Sequence, residues 1–250
     1  MNPFCQVIVL NLIVEIGNTA LKAAWTEEKT LGKTFRYQGE RRMEFIASLT
    51  EKEKPGVMVV SSVYEISAGE EKKLRNLCHL LVILDPAHPL VASRYGFPPY
   101  LSYDRTAALL AARYLFKEQG CTVVDFGTTL TVDYIDAEGR YEGGNISIGC
   151  RTRFKALNRY SRSLPLLNTP DVIQPLGDSL ESSIESGIIS GIIFEIQSYI
   201  DRKPDNVVLF TGGDAIYFVK KMKNSIFVVC NLVLIGLALI TDEYVREKDS

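Results

Sequence analysis

Apolar and polar positions follow one plan twice along this chain. An apolar run at 7–14 leads into Glu15-Ile16-Gly17-Asn18-Thr19, and an alternating segment at 20–25 follows; the pattern predicts strand, tight glycine turn, strand. The plan returns 110 positions later, where the β-branched run 122–124 enters Asp125-Phe126-Gly127-Thr128-Thr129 and alternation resumes at 130–135. Two half-chains built alike, each opening with a β-hairpin that has an acid at its entry, are the simplest account. Short apolar runs at 57–63 and 80–84 read as buried strands. Asp136-Ala137-Glu138-Gly139 reads as a turn, and 140–148 as a further strand whose Gly143-Gly144 allows close backbone approach. Apolar residues recur every three to four positions over 105–118 and 180–200, the second with Gly187 and Gly191 on a small-residue face, which predicts two helices. Four prolines between 85 and 99 break the chain before the first of these helices. The expected division is therefore one domain over 1–118 and a second over 119–250.

The 250 residues carry 28 basic and 30 acidic side chains, 46% of them are hydrophobic, and no dense basic run occurs. That balance suits a globular protein with one large core or two modest ones and leaves no electrostatic footprint for a nucleic-acid partner. The apolar stretch 226–240 is interrupted by Asn231 and Gly236 and is too short to span a bilayer, so no membrane partner is expected either. Cys5, Cys78, Cys121, Cys150 and Cys230 are odd in number and far apart, which fits a reducing compartment such as the cytoplasm. Only His79 and His88 are present, so carboxylates and backbone loops must carry any chemistry.

An acid followed by a glycine turn and a side-chain donor suits a polyphosphate. Glycine lets backbone amides approach phosphate oxygens, Asn18, Thr19 or Thr128 can donate to them, and Glu15 or Asp125 can hold a hydrated Mg²⁺. A third element, the apolar strand 207–210 running into Thr211-Gly212-Gly213, leaves bare backbone for a base or ribose. Asp104-Arg105 opens the helix after the proline-rich loop; read from the residues alone, Asp104 there caps the helix or favours its dipole.

Taken together, these motifs resemble the type III pantothenate kinases, a branch of the acetate and sugar kinase, heat-shock ATPase and actin superfamily. The first phosphate motif matches Glu15 to Thr19 with Lys22 after it, and the second matches Asp125 to Thr128. Ser102-Tyr103-Asp104-Arg105 matches the substrate motif, preceded by Tyr95 and Pro98, while Gly143 to Ile146 and Thr211 to Gly213 match two further segments. Arg153-Phe154-Lys155-Ala156-Leu157 resembles members from Bacteroides-like bacteria. The resemblance implies an α/β protein of two RNase H-like domains, each a mixed sheet flanked by helices, in the actin-like ATPase fold. It implies ATP-dependent phosphorylation of pantothenate, the first step of coenzyme A biosynthesis, with Asp104 as general base. Gly17, Asn18, Thr19, Lys22, Gly127, Thr128, Gly212 and Gly213 would bind ATP, and Glu15 and Asp125 would hold Mg²⁺. Tyr95, Ser102, Tyr103, Arg105 and the position of Leu180 would face pantothenate. A homodimer and a monovalent cation, potassium or ammonium, belong to the same expectation.

Four positions depart from the family pattern: Glu15 for aspartate, Ser102 for glycine, Leu180 for a threonine, and Ile148 for a proline. Ser179 or Ser182 could replace the hydroxyl that Leu180 lacks. Two alternatives stay open, a catalytically weakened nucleotide-binding paralogue and a kinase of the same fold for another small substrate. Retention of Asp104, Asp125, Asn18 and Thr19 favours the enzyme. Relatives begin near Leu10, which makes 1–9 an upstream extension or a longer edge strand.

Overall fold

The computed structural model describes residues 10–85 and 90–248; the proposed extension 1–9, Cys5 and His88 lie outside them. Two compact units emerge among the described residues, one formed by those up to Ala111 together with those from Leu232 onward and the other by Ala112–Asn231. The first contains β1 (Asn11–Ile16), β2 (Leu21–Glu27), β3 (Thr30–Tyr37), α1 (Arg42–Leu49), β4 (Val57–Ser62), α2 (Ala68–Asn76), β5 (Leu80–Leu84) and α3 (Leu90–Arg94). Helix α4 (Tyr103–Leu115) carries the chain into the second unit, which holds β6 (Cys121–Phe126), β7 (Thr129–Ile135), β8 (Tyr141–Ile148), α5 (Cys150–Tyr160), α6 (Leu180–Asp201), β9 (Val207–Gly212), α7 (Ala215–Val219) and β10 (Ile226–Val228). The last helix, α8 (Leu232–Lys248), returns to pack on β1 to β4. The expected boundary near 118 thus lies a few residues from the observed one, while the final helix, expected with the second half, belongs to the first. Its sequence neighbours gave no sign of this, because long-range packing decides where an apolar helix docks.

The internal echo is a duplicated sheet. The first has strand order β3-β2-β1-β4-β5 and the second, read the same way, β8-β7-β6-β9-β10. In both, the central strand pairs antiparallel with the strand after it and parallel with the strand beyond a helical crossover. Registers match as well: Glu15 lies beside Lys22 and Ser61, and Asp125 beside Thr131 and Thr211.

Alternation along each central strand sorts its side chains between faces. On β1, Leu12, Val14 and Ile16 join a core with Leu21, Ala23, Met58, Val60, Ile46 and Leu74, which puts Ile13 and Glu15 on the opposite face. On β6, Val124 and Phe126 join Leu130, Val132, Phe210 and Phe218 beneath the isoleucines of α6 at 184, 189, 192, 196 and 200. The rings of Phe126 and Phe218 stack with centroids 4.9 Å apart, and Phe210 meets Phe126 edge-on at 4.8 Å, fixing the strand that carries Asp125. Burying ten or more such side chains per face, at about 1.5–3 kcal/mol each, supplies the main driving force for either sheet.

Candidate active site

The first hairpin is closed by the Gly17 N–H, which donates to the Ala20 carbonyl at 3.0 Å and leaves Asn18 and Thr19 exposed at the tip. Glu15 stands at the strand end behind it. Its carboxylate is mostly buried, and Lys22 Nζ lies 3.5 Å from Oε2 across the hairpin. Burial pushes the Glu15 carboxyl above its ordinary range, and the nearby charge of Asp104 pushes the same way, against the pull of Lys22. Lys22 is therefore half-buried and paired.

Asp104 reaches this acid from the first turn of α4. Ser102 accepts the Thr106 N–H through its carbonyl at 2.9 Å and so holds the N-cap place; Asp104 is therefore not the cap but lies in the first turn, where an acid favours the helix dipole. Asp104 Oδ1 is buried and meets no hydrogen-bond donor among the described residues. An acceptor in that condition is costly unless a ligand completes it. Serine at 102 carries no backbone strain, since Glu28 and Glu118 are the non-glycine residues with positive φ among those described.

The neighbours of Asp104 are buried too. Arg105 is 7% exposed and Tyr103 8%. Burial, with the charge of Asp85 behind it, raises the Tyr103 phenol to about 12. Tyr95 donates its hydroxyl to Glu243 Oε2 on α8 at 2.7 Å, so burial and this carboxylate hold its phenol in the protonated form. Asp85 accepts the Ile66 N–H at 2.8 Å and anchors the loop beyond β4. Sequence reasoning missed Glu243 and Asp85, and it also missed Ser61 and Ser62, the buried counterparts of Thr211 and Gly212 in the duplicated register.

In the second unit, Gly127 N–H donates to Thr129 O at 3.0 Å and closes a loop whose residues 127–129 are exposed. Asp125 lies behind it at the end of β6. Gly212 has φ +90, and a Cβ there would sit 2.3 Å from Asp125 Oδ1 and 2.5 Å from Phe126 O. Only glycine brings β9 this close to the acid. Gly213 N–H donates to Phe126 O at 2.9 Å, and its own Cβ position is open, with Phe126 O at 3.9 Å. The two glycines expected to act alike therefore differ: Gly212 is packed against Asp125, and Gly213 presents bare backbone to open space.

Leu180 begins α6 and is half exposed. Ser179 caps that helix by accepting the Ser182 N–H at 3.1 Å, and the Ser182 hydroxyl accepts the Ser179 N–H at 2.9 Å. Both hydroxyls are thus engaged in a capping box.

Among the described residues no three His, Cys, Asp or Glu side chains cluster as a metal site. Mg²⁺ brought by a nucleotide needs only one or two carboxylates beside phosphate and water oxygens. Glu15 and Asp125, one behind each loop, have the donor chemistry for that use.

Comparison with known proteins decides the family. The family model for type III pantothenate kinase matches residues 11–202. The type III pantothenate kinase of Phocaeicola vulgatus is 36% identical over 233 residues, covering 91% of this chain and 96% of its own. The chain belongs to the type III pantothenate kinase family. Solved structures agree on the fold of this kinase family member. A Baf family protein from Campylobacter jejuni, named as a transcriptional activator, superposes with a TM-score of 0.62 at 22% identity, covering 94% of this chain and 99% of its own. The activator of 2-hydroxyisocaproyl-CoA dehydratase from Clostridium difficile, solved with bound ADPNP, gives 0.58 at 14% identity, covering 96% and 97%. These likenesses show the actin-like ATPase fold, as the motifs implied.

Proposed function

We propose that this chain transfers the γ-phosphoryl group of ATP to the primary hydroxyl of pantothenate, giving 4'-phosphopantothenate and ADP in the first step of coenzyme A biosynthesis. The observation that carries the reading is Asp104 Oδ1, a buried acceptor left open at the head of α4. In this reading the pantothenate hydroxyl donates to Asp104, its oxygen bonds to the γ-phosphorus as the bond to ADP breaks, and the proton passes to the carboxylate. General-base help of this kind is worth roughly 10²–10⁴-fold in rate. Loop amides and the side chains of Asn18, Thr19 and Thr128 orient the phosphates, since phosphoryl transfer rests chiefly on positioning and charge stabilisation. Mg²⁺, for which Glu15 or Asp125 would supply a carboxylate, would neutralise phosphate charge. Lys22, 3.5 Å from Glu15, opposes the burial that pushes this carboxyl up and so favours its charged form.

Tyr95, Tyr103 and Arg105 are assigned to the pantothenate side and Gly213 to adenosine, with potassium or ammonium beside the nucleotide. A homodimer in the cytoplasm completes the proposal; exposed Ile146, Ile148 and Phe194 give the second unit apolar surface for a partner copy. No helix among the described residues is long and apolar enough to cross a membrane. The test is phosphorylation of pantothenate by the purified protein in ATP, Mg²⁺ and potassium or sodium, with mass identification of the product. Potassium-stimulated formation of 4'-phosphopantothenate is expected; ATP binding without that product would refute the assignment.

A further inference from the structure

The second phosphate loop is braced from outside by the start of α5. Gly149 N–H donates to the Thr128 carbonyl at 3.0 Å, and the Thr152 hydroxyl donates to the same oxygen at 2.9 Å. The joint is tight: a Cβ on Gly149 would lie 2.1 Å from Gly127 O and 2.8 Å from Thr128 O. A carbonyl gripped by two donors fixes the plane of its peptide, and in a trans peptide the N–H points the opposite way. That N–H belongs to Thr129. The register leaves it out of both ladders. Thr129 faces Ile148 on β8, and the Gly149-to-Thr128 bond makes them a non-hydrogen-bonded pair; on the β6 side Thr129 offers its carbonyl to Gly127. The Thr129 N–H is thus turned away from β8, to the Gly127 side of the loop.

We propose that Thr152 is a positioning residue for the second phosphate loop, its Oγ1 holding the Thr128–Thr129 peptide so that the Thr129 N–H faces a nucleotide phosphate. The proposal rests on the reading of 127–129 as a phosphate loop and adds a residue outside every motif that identified it. Threonine at this place stands in the first turn of an 11-residue helix, where its side chain reaches back to the loop rather than to its own helix. Arg153, the next residue, is tied the other way, to Ile148 O at 2.7 Å and to Glu195 on α6, so α5 is anchored on the sheet side while Thr152 serves the loop.

The test is equilibrium binding of Mg-ATP and of adenosine, by fluorescence or calorimetric titration, to the full chain and to Thr152→Val, Thr152→Ser and Asp125→Asn. Valine keeps the β-branched shape and removes the donor. Thr152→Val should weaken Mg-ATP roughly two- to tenfold, the range set by one net hydrogen bond, and leave adenosine unchanged. Thr152→Ser should bind Mg-ATP within about twofold of the parent. Undiminished ATP affinity in Thr152→Val, equal loss in Thr152→Ser, or equal loss of adenosine would overturn the positioning role. Asp125→Asn separates the two failures: unchanged Mg-ATP affinity there refutes the phosphate loop itself, whereas loss there without loss in Thr152→Val refutes only Thr152.

Discussion

Gly212 and Gly213 are adjacent, chemically identical and expected from the motif to act together, yet a methyl group added to each should have opposite consequences. Gly212 has φ +90, a conformation that costs an L-residue about 1–3 kcal/mol. Its new Cβ would also lie 2.3 Å from Asp125 Oδ1, 2.5 Å from Phe126 O and 2.6 Å from Phe126 N, all well inside contact. Two of those atoms are backbone of a central strand and yield poorly, and forced overpacking adds about 1–3 kcal/mol. Gly212→Ala should therefore lose about 2–6 kcal/mol, or roughly 5 °C or more in Tm for a chain of this size. Gly213→Ala meets only Phe126 O at 3.9 Å and should melt with the parent. Its methyl enters the space assigned to adenosine, so it should weaken ATP about tenfold, equivalent to ~1.4 kcal/mol. Scanning calorimetry paired with ATP titration reads both effects. An unchanged Tm in Gly212→Ala, or a comparable fall in Gly213→Ala, would refute the division of labour.

Other consequences can be checked on the same material. Lys22→Met removes the charge that lowers the Glu15 pKa; the stranded carboxylate is penalised only while ionised, so the variant's loss of Tm should be larger at pH 8 than at pH 5. An equal loss at both pH values would count against the pair. Among the described cysteines Cys230 alone is exposed, so native-state thiol labelling followed by peptide mapping should modify it and spare Cys78, Cys121 and Cys150. Burial raises Cys121 from 9.0 to about 11, and because the unfolded thiol ionises first, stability should fall as pH rises through that window. Arg153→Ala removes donors to Ile148 O, Ser147 Oγ and Glu195, which keeps only the Ser147 hydroxyl; a loss of about 1–2 kcal/mol in chemical denaturation is expected, and none would mean the tie is idle.

How far the sequence could be read depended on whether the signal was local. Both hairpins were legible because an acid, a glycine turn and flanking alternation lie within a dozen residues, and their repetition correctly indicated a duplicated sheet. The pairing of Lys22 with Glu15 could have followed from the same hairpin by counting register. Extending the repeat one strand further would have found Ser61 and Ser62 opposite Thr211 and Gly212. The Ser67-to-Glu70 capping box of α2 was likewise visible in its spacing. Other features had no local trace. Tyr95 and Glu243 meet across 148 positions. Gly236 lets α8 press on α4, where a Cβ would lie 1.9 Å from Ala107 O, but in sequence it is one more interruption of an apolar stretch. Asp104 looked like a cap because composition does not say which residue holds the N-cap place; the hydrogen bond at Ser102 does.

The central claim, that Asp104 is the base of a pantothenate kinase, is tested most directly by comparing the chain with Asp104→Asn in a single experiment. Turnover of ATP and pantothenate with Mg²⁺ and potassium is measured beside ATP affinity. The account predicts 4'-phosphopantothenate from the parent, and at least tenfold slower turnover in the variant with ATP affinity nearly intact. Turnover preserved in the variant, or turnover and ATP affinity lost together, would contradict it.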